Sequence, residues 1–138
     1  MTQTLSYGPE AIAEAARLIA AGQPVAMPTE TVYGLAADAT NGEAVARIYE
    51  AKGRPSFNPL IVHVPAIAEA EDFAVFDEAA RDLAKRFWPG PLTLVVPLRE
   101  NAEIASIVTA GLPTIGLRVP AHPAMQALLY TVGRPLAA

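Results

Sequence analysis

Several clusters of polar side chains in this sequence are spaced so that they could act on a small charged ligand. The first, Pro28-Thr29-Glu30-Thr31-Val32-Tyr33-Gly34-Leu35, directly follows the apolar run Val25–Met27. Hydroxyls and a carboxylate at a strand end open onto the crevices where α/β proteins bind small ligands. Threonines that close their own backbone turn would leave the same letters. The second, Lys52-Gly53-Arg54, places two cations either side of a glycine at a helix end. They can converge on one polyanion, the guanidinium as a planar fork and the ammonium as a compact charge. Cations in a last helical turn also complement the helix dipole, so the pair alone leaves both readings open.

Asn58 precedes Pro59. Its amide could meet a phosphate or ribose, or simply close a turn. His63 lies inside the apolar run Leu60–Val64 and by alternation shares a face with Ile61. There it is either a ligand contact or a satisfied core residue. Thr114 and Arg118 are four apart in an extended segment and so point to one face. A hydroxyl and a guanidinium would look into one cleft, with Arg118 able to hold a carboxylate by paired hydrogen bonds. An edge-strand arginine reaching solvent is the alternative.

Other chemistries find less support. There are no cysteines and only two histidines, which removes thiolate nucleophiles, thiolate zinc sites and His-rich metal sites. Glu30 and Asp38 are possible metal ligands but form no recognisable set. No phosphate-binding loop of the G-x-x-x-x-G-K-[ST] type and no G-x-G-x-x-G is present, so a nucleotide site here would be of another kind. No Ser-His-Asp triad suggests itself, and the carboxylates are scattered over presumed helix surfaces.

The elements that must position these residues alternate along the chain. Residues 9–21 are predicted helical, opening on Pro9 and closing at Gly22. Val25–Met27 reads as a buried strand, and Leu35–Ala37 as a short extended piece. A helix is predicted over 42–51, stopped by Gly53 and Pro55. Leu60–Val64 reads as a strand. Residues 77–87 read as a helix capped by Asp77, with Ala80, Leu83, Ala84 and Phe87 on one face. Pro89-Gly90-Pro91 forces a turn; Leu92–Leu98 and Ile115–Val119 read as strands; Pro123 opens a last helix to about Tyr130. Leu136-Ala137-Ala138 looks like the start of a further buried strand. The expectation is one α/β (α+β) domain over 1–138, a twisted mixed or parallel sheet flanked by helices.

With 52% hydrophobic residues the chain can pack a core, and a net charge of −4 argues against broad binding of nucleic-acid phosphates. Met1 to Glu10 lacks a basic-then-apolar leader, and no apolar run approaches membrane-spanning length. The expectation is a cytoplasmic protein.

Taken together, the Pro28–Leu35 segment, Lys52-Gly53-Arg54-Pro55 and Asn58-Pro59-Leu60-Ile61-Val62-His63-Val64 resemble the signature of YrdC-type threonylcarbamoyl-AMP synthases. Trp88-Pro89-Gly90-Pro91-Leu92-Thr93 and Leu117-Arg118-Val119-Pro120-Ala121-His122-Pro123 extend the resemblance. It implies a sheet and helices around a large, positively lined cavity. It also implies a nucleotidyltransferase that joins L-threonine, bicarbonate or CO2 and ATP, with Mg2+, into threonylcarbamoyl-AMP and pyrophosphate for tRNA modification by a partner transferase. By motif, Thr31, His63, Arg118 and Ala138 would meet threonine; Arg54, Asn58 and Thr114 would meet ATP; and Lys52 with Arg54 would stabilise phosphate charge. The resemblance further implies a serine-x-asparagine segment and more strands and helices beyond Leu136-Ala137-Ala138, so a chain ending there is expected to bind ATP weakly or not at all. A non-catalytic nucleotide- or RNA-binding module, or an inactive fragment of the synthase, is the alternative.

Overall fold

The structure, a computed structural model, describes residues 3–29, 33–55 and 58–138. Helix α1 (Pro9–Ala20) opens on proline and buries Ile12, Ala15 and Ile19. Helix α2 (Gly42–Lys52) starts on Asn41, whose side chain accepts from the N–H groups of Glu43 and Ala44. It ends on Gly53, which takes the left-handed conformation that a β-carbon disfavours (φ 60°). Helix α3 (Ile67–Phe73) was not anticipated: it is short, lacks a side-chain cap and buries only Ala70, so it leaves little periodic signal. Helix α4 (Glu78–Phe87) is capped by Asp77, which accepts from the Ala80 N–H at 2.8 Å. Its predicted apolar face is narrower than expected, for Leu83 and Phe87 are exposed while Ala80 and Ala84 are buried. Helix α5 runs from Pro123 to Val132.

The strands are β1 (Val25–Pro28), β2 (Tyr33–Asp38), β3 (Ile61–His63), β4 (Leu94–Pro97), β5 (Thr114–Arg118) and β6 (Leu136–Ala137). They form one sheet in the order β1-β2-β6-β3-β5-β4. Only β3 and β5 run parallel; the other ladders are antiparallel. The sheet is therefore mixed and mainly antiparallel. Strand β1 is less buried than its letters suggest, because at the sheet edge only Met27 is enclosed. Strand β6, two residues long, lies in the middle of the sheet between β2 and β3.

Two apolar cores lie on opposite faces. Ala37, Val62, Ala137, Ile115, Leu117, Leu94 and Val96 pack with α2, α4 and Trp88 on one face. Met27, Ala36 and Leu136 pack with α1 and α5 on the other. Those two helices do not extend over the β3-β5-β4 end. There the second face carries Thr114, Gly116 and Arg118, alternating with the buried Ile115 and Leu117. Val95 stands on it 69% exposed. A partly polar strip that no described helix covers is left on this face of the sheet. No helix of the described residues is long and apolar enough to cross a membrane.

Candidate functional site

Register decides which of the predicted residues meet on this strip. His63 of β3 is the Cα partner of Arg118 on β5, and Ile61 is the partner of Gly116. Paired residues project to the same side of a sheet, about 4.8 Å apart. Leu94 opposes Leu117, so Thr93, one residue earlier, stands beside Arg118. The Arg118 guanidinium donates to the Thr93 hydroxyl from Nε at 3.1 Å and from Nη2 at 2.8 Å. His63 is 2% exposed, at the margin where the sheet passes under the α1–α5 core: its other ladder partner is Leu136.

Thr114 lies on the same face four residues upstream of Arg118, a span of roughly 13 Å along a strand. Because β3 and β5 are parallel, this end adjoins the turn before β3, where Asn58 and Arg54 sit. Arg54 reaches across that turn, donating to the Pro59 carbonyl from Nη2 at 2.9 Å and to the Asn58 carbonyl from Nε at 3.4 Å. The strip is thus polarised, with Arg54, Asn58 and Thr114 at one end and His63, Arg118 and Thr93 at the other. Ala138 lies between them, exchanging both backbone hydrogen bonds with Ile61 at 3.0 Å. A Cβ built on Gly34 would stand 3.6 Å from the Ala138 methyl, so small residues keep this part of the floor low.

Lys52 is exposed at the end of α2 and, among the described residues, does not join either group in a direct contact. Thr31 and Glu30 lie outside the described residues. Asp38 is buried at 3% exposure and already occupied: its carboxylate accepts from the Thr40 N–H at 2.9 Å, the Thr40 hydroxyl at 2.6 Å and Arg134 Nη1 at 2.8 Å. It fastens the end of β2 to the loop before β6. Among the described residues no group of three or more His, Asp or Glu is placed to hold a metal ion. Among the described residues, the predicted groups border a strip on the sheet face. Clefts also lie elsewhere: one of about 340 Å3 between α1 and β1, another of about 270 Å3 between α3 and the α5–β6 turn. Pro28 and Tyr33, which flank the undescribed residues 30–32, line the first of these; Arg54, Asn58, His63, Thr114, Arg118 and Ala138 line neither.

Tyr49 supports the Arg54 end and was not singled out in the sequence. Its buried hydroxyl lies 2.7 Å from the Asn58 carbonyl and 3.2 Å from that of Ile107. One hydroxyl has one proton, so the shorter bond to Asn58 carries most of the donation. Burial raises the phenol's pKa, with Arg54 opposing weakly, so the neutral donor form is favoured. Tyr49→Phe is expected to destabilise the fold by about 1 kcal/mol through loss of this hydrogen bond, read from urea denaturation; an unchanged midpoint would remove the tyrosine from this role. A tyrosine three residues before the helix end carries no signal that its hydroxyl crosses to a distant turn.

Comparison with known proteins follows the same lines. A family model named Sua5/YciO/YrdC, described as "Telomere recombination", matches residues 17–138. The threonylcarbamoyl-AMP synthase of Bacillus subtilis (strain 168) is 51% identical over a 139-residue alignment covering 100% of this chain and 40% of the relative. That of Pyrococcus abyssi (strain GE5 / Orsay) is 50% identical over 125 residues, 90% of this chain and 36% of the relative. The crystal structure of P. abyssi Sua5 complexed with L-threonine superposes with a TM-score of 0.90 at 47% identity, covering 97% of this chain and 39% of that one. The chain spans about two-fifths of the length of these relatives.

Proposed function

The chain belongs to the Sua5/YciO/YrdC family, and on that premise we propose that it supplies the threonine end and part of the nucleotide end of a threonylcarbamoyl-AMP synthase. The observation that carries this reading is the polarity of the open strip. A guanidinium and a buried imidazole stand at one end, with a cationic turn and a hydroxyl roughly 13 Å away at the other. That separation suits an amino acid laid beside a nucleotide. A relative of 47% identity, over nearly the whole of this chain, has been solved with L-threonine.

The reaction needs no enzyme nucleophile. The threonine amine adds to CO2, supplied by bicarbonate, and loses a proton to give an N-carboxylate. One oxygen of that carbamate attacks the α-phosphorus of ATP. The bond from that phosphorus to the bridging oxygen breaks, and pyrophosphate leaves. ATP enters as its Mg2+ complex and is written here as substrate. What the protein must do is hold the two reactants in line and balance phosphate charge as it shifts to the leaving group. Arg118, His63, Thr31 and Ala138 are assigned to threonine. Thr114, Asn58 and Arg54 are assigned to ATP, and Lys52 is the second cation for its phosphates. Arg54 has a further task, because its bonds to the Asn58 and Pro59 carbonyls hold the turn that presents Asn58.

The test is pyrophosphate exchange into ATP by the complete gene product. Exchange is expected only with threonine and bicarbonate both present. Exchange that ignores bicarbonate would overturn the reading. Arg54→Ala is expected to lower exchange at least about tenfold, the loss of a charge-assisted contact. Arg54→Lys should restore little, since an ammonium cannot span two carbonyls as the planar fork does. Full rescue by lysine would reduce Arg54 to a simple charge.

A further inference from the structure

We propose that Thr93 is a positioning residue that aims Arg118 at the ligand's carboxylate, so that threonine is selected through a side chain that need not touch it. The inference rests on the threonine reading above and deepens it. Nε and one Nη2 proton of Arg118 both go to the Thr93 hydroxyl. These protons form one edge of the guanidinium. Nη1 makes no hydrogen bond to the described residues, so the end-on edge, made of Nη1 and the second Nη2 proton, remains for a ligand. Two parallel N–H groups on that edge match the two oxygens of a carboxylate.

The orientation of Thr93 is itself fixed. Threonine is branched at Cβ and stiff about χ1. Its methyl lies over Gly116, where a built Cβ would stand 3.5 Å from Cγ2, while its oxygen faces Arg118. Thr93 directly precedes and Arg118 directly follows the Leu94–Leu117 pair that ends the β4–β5 ladder, so the ladder holds the two side by side. An arginine left to itself on an open sheet face would sample many rotamers, and ordering it on binding would cost affinity. Two bonds to a locked hydroxyl remove most of that freedom in advance. Accepting both bonds also turns the hydroxyl's own proton away from the guanidinium.

The experiment uses the complete gene product, with titration calorimetry against L-threonine and against L-threoninol, which keeps the amine and side chain and lacks the carboxylate. Thr93→Val preserves shape and removes the acceptor. It is expected to weaken L-threonine about tenfold, the scale of one charge-assisted hydrogen bond, and to leave L-threoninol and the thermal midpoint unchanged. Thr93→Ser keeps the acceptor and should retain most of the preference for L-threonine over L-threoninol. Equal weakening of both ligands by Thr93→Val, or loss of the preference in Thr93→Ser, overturns the inference. So does unchanged threonine binding in Thr93→Val when Arg118→Ala still weakens it. Failure of the parent protein to bind L-threonine at all would instead sink the reading on which the inference rests.

Discussion

Arg118→Ala is expected to lower threonine-dependent pyrophosphate exchange by about 100-fold in kcat/KM, most of it in the threonine KM. The magnitude follows from removing a paired, charge-assisted contact to a carboxylate, worth roughly 3 kcal/mol when the partner is left without it. Stability should change little. The side chain is half-buried on the open strip and its described bonds go to one hydroxyl. Arg118→Lys should recover only a small part, because an ammonium cannot present two parallel N–H groups. Steady-state kinetics with threonine and ATP varied separately would check this. A fall in ATP affinity with threonine KM unchanged would move Arg118 to the other substrate and undo the polarity assigned to the strip.

The largest effect on stability is expected from Leu136→Ala. Leu136 is fully enclosed in the α1–α5 core and belongs to a strand of two residues. Its transfer and cavity terms together cost about 2–5 kcal/mol, a large share of the roughly 5–15 kcal/mol that holds a domain folded. Strand β6 also joins the two halves of the sheet. Its residues pair with Ala37 and Asp38 on one side and with Val62 and His63 on the other. A loosened Leu136 therefore disturbs the ladder beside His63 as well as the core. Val95→Ala on the exposed face is the control, expected to change stability by about 0.5 kcal/mol or less. Urea denaturation of both variants would decide; similar midpoints would contradict the placement of β6 at the centre of the sheet.

Much of this arrangement was legible in the letters, and the exceptions have physical causes. Pro9, Gly53, Asp77 and Pro123 mark helix ends by local chemistry, and helices lie where those residues put them. The alternation Thr114-Ile115-Gly116-Leu117-Arg118 placed the hydroxyl and guanidinium on one face before any sheet was seen. Pairing could not be read the same way. That His63 neighbours Arg118, or that Thr93 opposes it, depends on register between segments far apart in the chain. Tyr49 was invisible as a support for the same reason. Leu83 and Phe87 have the spacing of a buried face, but in α4 only Ala80 and Ala84 are buried, so periodicity overstated the enclosed face. Helix α3 has neither cap nor stripe and left nothing to detect.

The central position of β6 also bears on how the protein forms during synthesis. Ala37 pairs with Ala137, one hundred residues later, and no other strand lies between β2 and β3. The β1–β2 hairpin and the β3-β5-β4 unit can each assemble as the chain emerges from the ribosome, but they can be welded together only after residue 137 has cleared the exit tunnel. Until then the facing edges of β2 and β3 are unpaired, and contacts this distant in sequence close slowly. The nascent chain should thus pass through a stage with two exposed sheet edges, when it is most open to mispairing and to capture by chaperones.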